Sequence, residues 1–265
     1  MNIALGIEYS GTHYCGWQRQ THSPSVQQTL ENVLSEIADH EVQVYCAGRT
    51  DTGVHATGQV VNFQLNNQRP LKAWTMGANT LLPDDISVVW AQEVEENFHA
   101  RHSAVSRRYR YVIQNTSYPS ATLSNRVLNY RQELNHENMH IAAQSLLGEQ
   151  SFASFQSSSC QSPTPFRCVH ETNVIRLNEF VIIEIQANAF LHHMVRNIVG
   201  CLLEVGVGNQ DINYVKKILS RQDRTQAPMT AKAHGLYLVR VGYPEKYAIP
   251  QLPSGPLMLP DNLND

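Results

Sequence analysis

The first 38 residues constrain the fold most, because their hydrophobic period changes once and sharply. In "NIALGIEYSG", Ile3, Leu5, Ile7 and Tyr9 recur at every second position before a glycine, which is the pattern of a strand buried on one face. In "THSPSVQQTLENVLSEIADH", Val26, Leu30, Val33, Leu34 and Ile37 share one face of a helix instead. The segment "SPSVQQ" supplies the helix start, through either Ser23 with Pro24 behind it or Ser25 with Gln28 three residues on. A strand and a helix that each bury only one face must pack on other elements.

The same alternation of periods continues along the chain. Short strands are expected around residues 42 to 46 and 58 to 65, a helix near 71 to 81 and a strand near 86 to 92. The second half opens on "RRYRYVIQN", where Tyr109, Tyr111 and Ile113 alternate with Arg108, Arg110 and Val112, so one face is apolar and the other partly cationic. A helix near 136 to 147, strands near 170 to 177 and 180 to 187, a helix through "FLHHMVRNIVGCLLEVGVG", a shorter one at 211 to 220 and a last strand "GLYLVRVGY" follow. Leu191, Val195, Ile198 and Leu202 with Met194, Val199 and Leu203 make a wide apolar stripe, which predicts a deeply packed helix. After Tyr243, five prolines between Pro244 and Pro260 predict an extended arm. Element order is similar in the two halves without a sequence repeat, so the expectation is a two-lobed α+β protein with a mostly antiparallel sheet.

Composition enters only to bound the function. With 265 residues, 42% of them hydrophobic and 16% charged, the chain reads as globular and long enough for one large or two modest cores. No apolar run approaches the roughly 20 residues of a spanning helix, and the start "MNIALGIEYSG" has no basic segment or cleavage site, so a cytoplasmic protein without membrane contact is expected. The five cysteines are odd in number, far apart and lack a C-x-x-C pair, which points to reduced thiols. A net charge of -3 does not announce a nucleic-acid binder, but 15 of the 20 basic residues are Arg, and Arg101, Arg107, Arg108 and Arg110 fall within "RHSAVSRRYR". Arginine makes forked contacts with phosphate, so a local basic stripe is compatible with this charge, as is a solvated strand face.

The chemistry concentrates in "CAGRTDTGVHATGQVVNF", where Arg49, Asp51 and His55 stand among Gly48, Gly53 and Gly58. Glycines let backbone approach a ligand closely, and a carboxylate beside a guanidinium is held ionised, which suits a nucleophile or base rather than an acid. An Asp that merely caps a turn would look the same by spacing. His192 and His193, with His55 or His170, raise a metal reading, but adjacent positions on one helix cannot aim both rings at one ion, so no metal site is expected. There is no P-loop or dinucleotide fingerprint, and no cofactor is expected.

"GRTDTGVHA" at 48–56 resembles the signature of the tRNA pseudouridine synthase A family. "GWQRQ" at 16–20, "FHAR" at 98–101, "RRYRY" at 107–111, "SFASF" at 151–155 and "NAFLHHMVRNIVG" at 188–200 match in the expected order, from about residue 3 to 244. Thr52 departs from the usual Ala. The resemblance implies a pseudouridine synthase fold, with two α/β subdomains around an extended, mostly antiparallel sheet and the active-site cleft between them. The expected boundaries are 1–103 for the first subdomain, 104–245 for the second and 246–265 for the tail. It implies a homodimer acting on uridines 38, 39 and 40 of the tRNA anticodon stem-loop. Asp51 would be the nucleophile, Tyr109 would stack on the base and assist proton transfer, and Arg196 would pair with Asp51. Arg19, Arg49, Arg101, Arg107, Arg108, Arg110 and His55 would contact substrate. The isomerisation gains and loses no atom and so needs neither a redox cofactor nor an energy donor. Attack at C1′, attack at C6 and assisted glycal formation all remain open. An RNA-binding module would not need Asp51, and a carboxylate hydrolase would need a second carboxylate that the motif does not supply.

Overall fold

The computed structural model describes residues 1–260, which form a mixed α+β structure whose strands are mostly antiparallel. Two compact units are present, one made of Met1–Ser106 with the segment from Tyr237 onward, the other of Arg107–Leu236.

In the first unit, strand β1 (Asn2–Tyr9) is followed by helix α1 (Val26–Ala38). Ser25 caps α1 by accepting a hydrogen bond from the Gln28 amide at 3.3 Å, so the second of the two possible starts is used. The Pro24 carbonyl accepts from the Cys15 amide at 2.8 Å, which holds that residue outside the helix. Val26, Leu30, Val33 and Leu34 are buried, as the stripe predicts; each such side chain contributes about 1.5–3 kcal/mol when fully buried. Strands β2 (Tyr45–Cys46) and β3 (His55–Gln64) follow, then a short helix α2 (Ala78–Leu81) and strand β4 (Ile86–Val94). The helix expected over 71–81 is not regular, because a π-helical turn occupies Ala73–Gly77 and places Trp74 edge-on against Phe63 in the core at 5.1 Å. Strand β1 lies between β3 and β4, antiparallel to both, and β2 borders β3.

In the second unit, β5 (Ser106–Gln114), β6 (Leu128–Asn129), helix α3 (His136–Ala143), β7 (Gly148–Ser151), β8 (Phe166–Leu177) and β9 (Phe180–Ala187) precede helices α4 (Met194–Gly206) and α5 (Tyr214–Arg221). The order is β5-β9-β8-β7, all antiparallel, with β6 parallel beside β5. Helix α4 buries Met194, Val195, Ile198, Val199, Leu202 and Leu203. It begins only at Met194, because His193 has a left-handed backbone (φ 64°) and cannot continue a helix.

The last strand, β10 (Leu236–Gly242), pairs with β3 in parallel and so joins the first unit, which shifts the expected boundaries to 106/107 and 236/237. The proline-rich arm is corrected as well. Ile249, Ser254 and Leu259 are buried, and the Thr57 hydroxyl donates to the Ser254 carbonyl at 2.8 Å, so this stretch is packed against β3. Apolar residues between the prolines give it surface to bury, which outweighs the stiffness of an open arm. Residues 261–265 of the expected tail lie outside the described residues.

Candidate active site

Asp51 sits half-buried on the turn between β2 and β3. The turn is closed at its base by Ala47 N–H donating to the Val60 carbonyl at 2.8 Å and by the Gln59 side-chain amide donating to the Gly48 carbonyl at 2.7 Å. It is closed at its tip by Val54 N–H donating to the Asp51 carbonyl at 3.1 Å, with Gly53 supplying the positive φ of 77° that the reversal requires. Both sides of Thr50 are then tied down. Its carbonyl accepts from Trp17 N–H at 3.0 Å, and its hydroxyl lies 2.7 Å from the Tyr9 hydroxyl.

The "GWQRQ" segment is therefore a buttress for the Asp51 turn. Gly16 has φ 92°, and a Cβ there would lie 2.7 Å from the Thr50 carbonyl oxygen, so only glycine fits. The buttress is fastened to α1: Val26 N–H donates to the Gly16 carbonyl, Gln27 N–H to the Trp17 carbonyl at 3.0 Å, and Arg19 N–H to Gln27 Oε1 at 3.1 Å. Behind it lies Glu31, 1% exposed, whose Oε1 accepts from Gln27 Nε2 and from Val44 N–H, both at 2.9 Å, while its Oε2 pairs with the Arg19 guanidinium. A buried carboxylate is tolerated when both of its oxygens are directed at donors, as here. Nothing in the local sequence marks Tyr9, Gly16, Trp17 and Thr50 as supports of Asp51. Glu31 was legible only in that positions 27 and 31 flank the apolar stripe of α1 at helical spacing.

The expected substrate contacts divide sharply. Arg49 and Arg101 are exposed, and Arg19 keeps 44% of its side chain in solvent despite its ion pair. His55 is 1% exposed, its Nδ1 accepts from Gly11 N–H at 3.1 Å, and its ring stacks on Tyr237 at 4.7 Å, so it pins the turn after β1. The arginines of β5 have partners within the protein. Arg110 is 2% exposed and donates to Glu184 at 2.6 Å; Arg108 donates to Glu184 at 2.5 Å, Glu171 at 2.6 Å and Gln186; Arg107, buried, donates to the Asn188 carbonyl at 3.0 Å. The register explains this, because Arg108 faces Gln186 and Arg110 faces Glu184 on β9, and a cationic strand face beside an anionic one neutralises itself.

In the second unit, Tyr109 is buried and meets Phe190 edge-on, with ring centroids 4.9 Å apart. Tyr111 is a core residue whose hydroxyl donates to the Lys232 carbonyl at 2.7 Å; burial pushes its ionisation up. Arg196, half-buried in the first turn of α4, donates through Nε to the Ala231 carbonyl at 2.8 Å, and its own carbonyl accepts from Ala231 N–H. This clamp orients the guanidinium instead of letting it snorkel. His192 and His193 precede α4, with ring centroids 4.1 Å apart, so the helical geometry assumed for them does not apply.

Residues 6–103 and 142–244 match the model of a family described as tRNA pseudouridine synthase. The chain is 56% identical over 262 residues to tRNA pseudouridine synthase A of Actinobacillus pleuropneumoniae serotype 7, spanning 99% of this chain and 100% of the relative. The chain belongs to the tRNA pseudouridine synthase family. Two other tRNA pseudouridine synthases A stand equally near: that of Shewanella loihica, 56% identical over 98% of this chain and 100% of its own length, and that of Glaesserella parasuis serovar 5, 57% identical over 97% and 98%. Among solved structures, a chain of a Cbf5-Nop10-Gar1 complex aligns at a TM-score of 0.37 and 12% identity, over 89% of this chain and 49% of that one, too remote to bear on the site. Within the tRNA pseudouridine synthase frame, Thr52, the departure from the usual Ala, is exposed beside the half-buried Asp51. No helix of the described residues is long and apolar enough to cross a membrane.

Proposed function

We propose that this protein isomerises uridine to pseudouridine at positions 38, 39 and 40 in the anticodon stem-loop of tRNA, with Asp51 as the nucleophile. The observation that carries the reading is 56% identity, across 99% of the chain, to a protein named tRNA pseudouridine synthase A. The Asp51 turn supports it physically: a carboxylate on a backbone braced on both sides is preorganised, so little reorganisation is needed when it reacts.

The bond from C1′ to N1 breaks, a bond from C1′ to C5 forms, the C5 proton leaves and N1 takes up a proton. Asp51 supplies the electron pair that stabilises the separated sugar or base while the base turns. Arg196, oriented by its bond to the Ala231 carbonyl, is the cation read as the ion-pair partner of Asp51. Tyr109 stacks on the extruded base and assists removal of the C5 proton. Exposed Arg49, Arg101 and Arg19 contribute phosphate contacts, and one tRNA touches both chains of a cytoplasmic homodimer.

The test is Asp51→Asn, which removes the nucleophile at nearly constant volume. Tritium release from tRNA labelled at C5 of uridine should vanish while tRNA affinity stays within about twofold, because phosphate contacts carry most of the binding. Release above a few per cent of wild type, from material free of host enzyme, overturns the assignment. Sedimentation of a fully active monomer overturns the dimer.

A further inference from the structure

The loop "NFHARHS" at 97–103 is held more firmly than an exposed connection needs. Two buried asparagines anchor it. Asn2 Nδ2 donates to the Phe98 carbonyl at 2.9 Å and to the Glu95 carbonyl at 3.0 Å, and Asn62 Oδ1 accepts from Ala100 N–H at 2.8 Å. Asn62 Nδ2 donates to Asn2 Oδ1 at 3.0 Å, which joins the two anchors. The Tyr243 hydroxyl donates to the Ala100 carbonyl at 2.7 Å, and the Phe98 ring packs on Tyr243 and Tyr247, each at 5.1 Å. Buried amides are costly unless satisfied, so this arrangement makes the loop rigid where it leaves the core.

That rigid base displays rings. His99 Nδ1 accepts from the Arg101 and His102 amides at 3.1 and 3.4 Å, which fixes the plane of the imidazole. The Tyr45 ring from strand β2 lies 4.9 Å from His99, and the His102 ring lies 4.3 Å from it on the same loop. Tyr45 is 45% exposed, His102 and Arg101 are exposed, and His99 is half-buried beneath them. Glu95 and Glu96 precede the Phe98 anchor, whereas His99, Arg101 and His102 follow it.

We propose that Tyr45, His99 and His102 form a stacking platform for an unpaired nucleotide of the bound tRNA other than the reacting uridine, with Arg101 on its phosphate. Every base has a π-face, so exposed rings bind single-stranded nucleotides without reading their edges; the rings of Tyr45 and His102 lie tilted at 43° and 56° to the His99 ring that braces them, so a base stacks on one ring face at a time. The platform rests on the proposed function.

The experiment measures affinity of an unlabelled tRNA transcript for the full protein at several salt concentrations, alongside wild-type tritium release. Stacking contributes a few kcal/mol per base at most, so Tyr45→Ala and Tyr45→Leu should weaken binding by about 5- to 150-fold with the salt slope unchanged, while Tyr45→Phe stays within about twofold. Arg101→Gln should instead lower the slope by about one. The platform is overturned if Tyr45→Ala or Tyr45→Leu binds within about twofold of wild type, if Tyr45→Phe loses as much as Tyr45→Ala, or if Tyr45→Ala dissociates the protein in sedimentation. The last outcome would assign the rings to contact with a second copy of the chain. Wild-type protein that releases no tritium overturns the function itself, whereas wild-type release with an unchanged Tyr45→Ala affinity overturns the platform alone.

Discussion

Replacing Glu31 by Ala should loosen the buttress behind Asp51, and the size of the effect follows from the donors left behind. Glu31 accepts from Val44 N–H, from the Gln27 amide and from Arg19, and it is 1% exposed, so no solvent replaces it. Stranding the Val44 N–H costs about 1–3 kcal/mol, and the Gln27 amide adds a similar amount, reduced by whatever rotation it finds. Arg19 contributes least, since 44% of its side chain stays in water and can rehydrate; an exposed cation of this kind accounts for about 0–1 kcal/mol. The sum is about 2–7 kcal/mol, with its middle near 4 kcal/mol because the Gln27 amide recovers part of its loss by rotation. Glu31→Gln keeps one acceptor for Val44 but turns an amide toward Arg19, and should cost less, about 1–2 kcal/mol. Because the chain has two compact units, a single melting temperature mixes them, so the assay is amide hydrogen exchange at Val44 and Trp17. Exchange there should accelerate by at least about 100-fold in Glu31→Ala, since each 1.4 kcal/mol is tenfold, and tritium release should fall with it. Acceleration below about tenfold would show that the three bonds do not hold the segment, and the buttress reasoning would fail.

Gly16→Ala should cost about 1–3 kcal/mol and slow turnover, because the residue would sit at φ 92° with its Cβ 2.7 Å from the Thr50 carbonyl oxygen; unchanged single-turnover tritium release would refute the close packing of this glycine on the Asp51 turn. Tyr109→Phe keeps the ring against Phe190 and removes only the hydroxyl, so tRNA binding should persist while tritium release slows sharply and rearranged or covalently held uracil accumulates. Release at the wild-type rate would mean that the ring acts through stacking alone.

Much of the local structure was decided by short-range physics. Alternating Ile3, Leu5, Ile7 and Tyr9 can bury one face only as a strand, and the Val26–Ile37 stripe can do so only as a helix, so β1 and α1 stand where periodicity puts them. The motif around Asp51 was legible because glycines at a reversal and an Asp among them are local features. What could not be read from the chain alone was partnership. "RRYRY" looks like a bare cationic face until strand pairing sets Glu184 and Gln186 opposite Arg110 and Arg108, and only the register across β5 and β9, 74 to 78 residues apart, decides that those two arginines have partners within the protein. His55 looks like a ligand contact until Tyr237 arrives from the other end of the chain to stack on it. The proline-rich segment looks like an open arm until Thr57 binds Ser254 and its apolar residues find a surface. Propensity and period act over a few residues and fix the kind of element. Tertiary structure alone determines which charges face each other, because a charge is free or neutralised according to what lies within a few ångströms in space, wherever that neighbour stands in the chain.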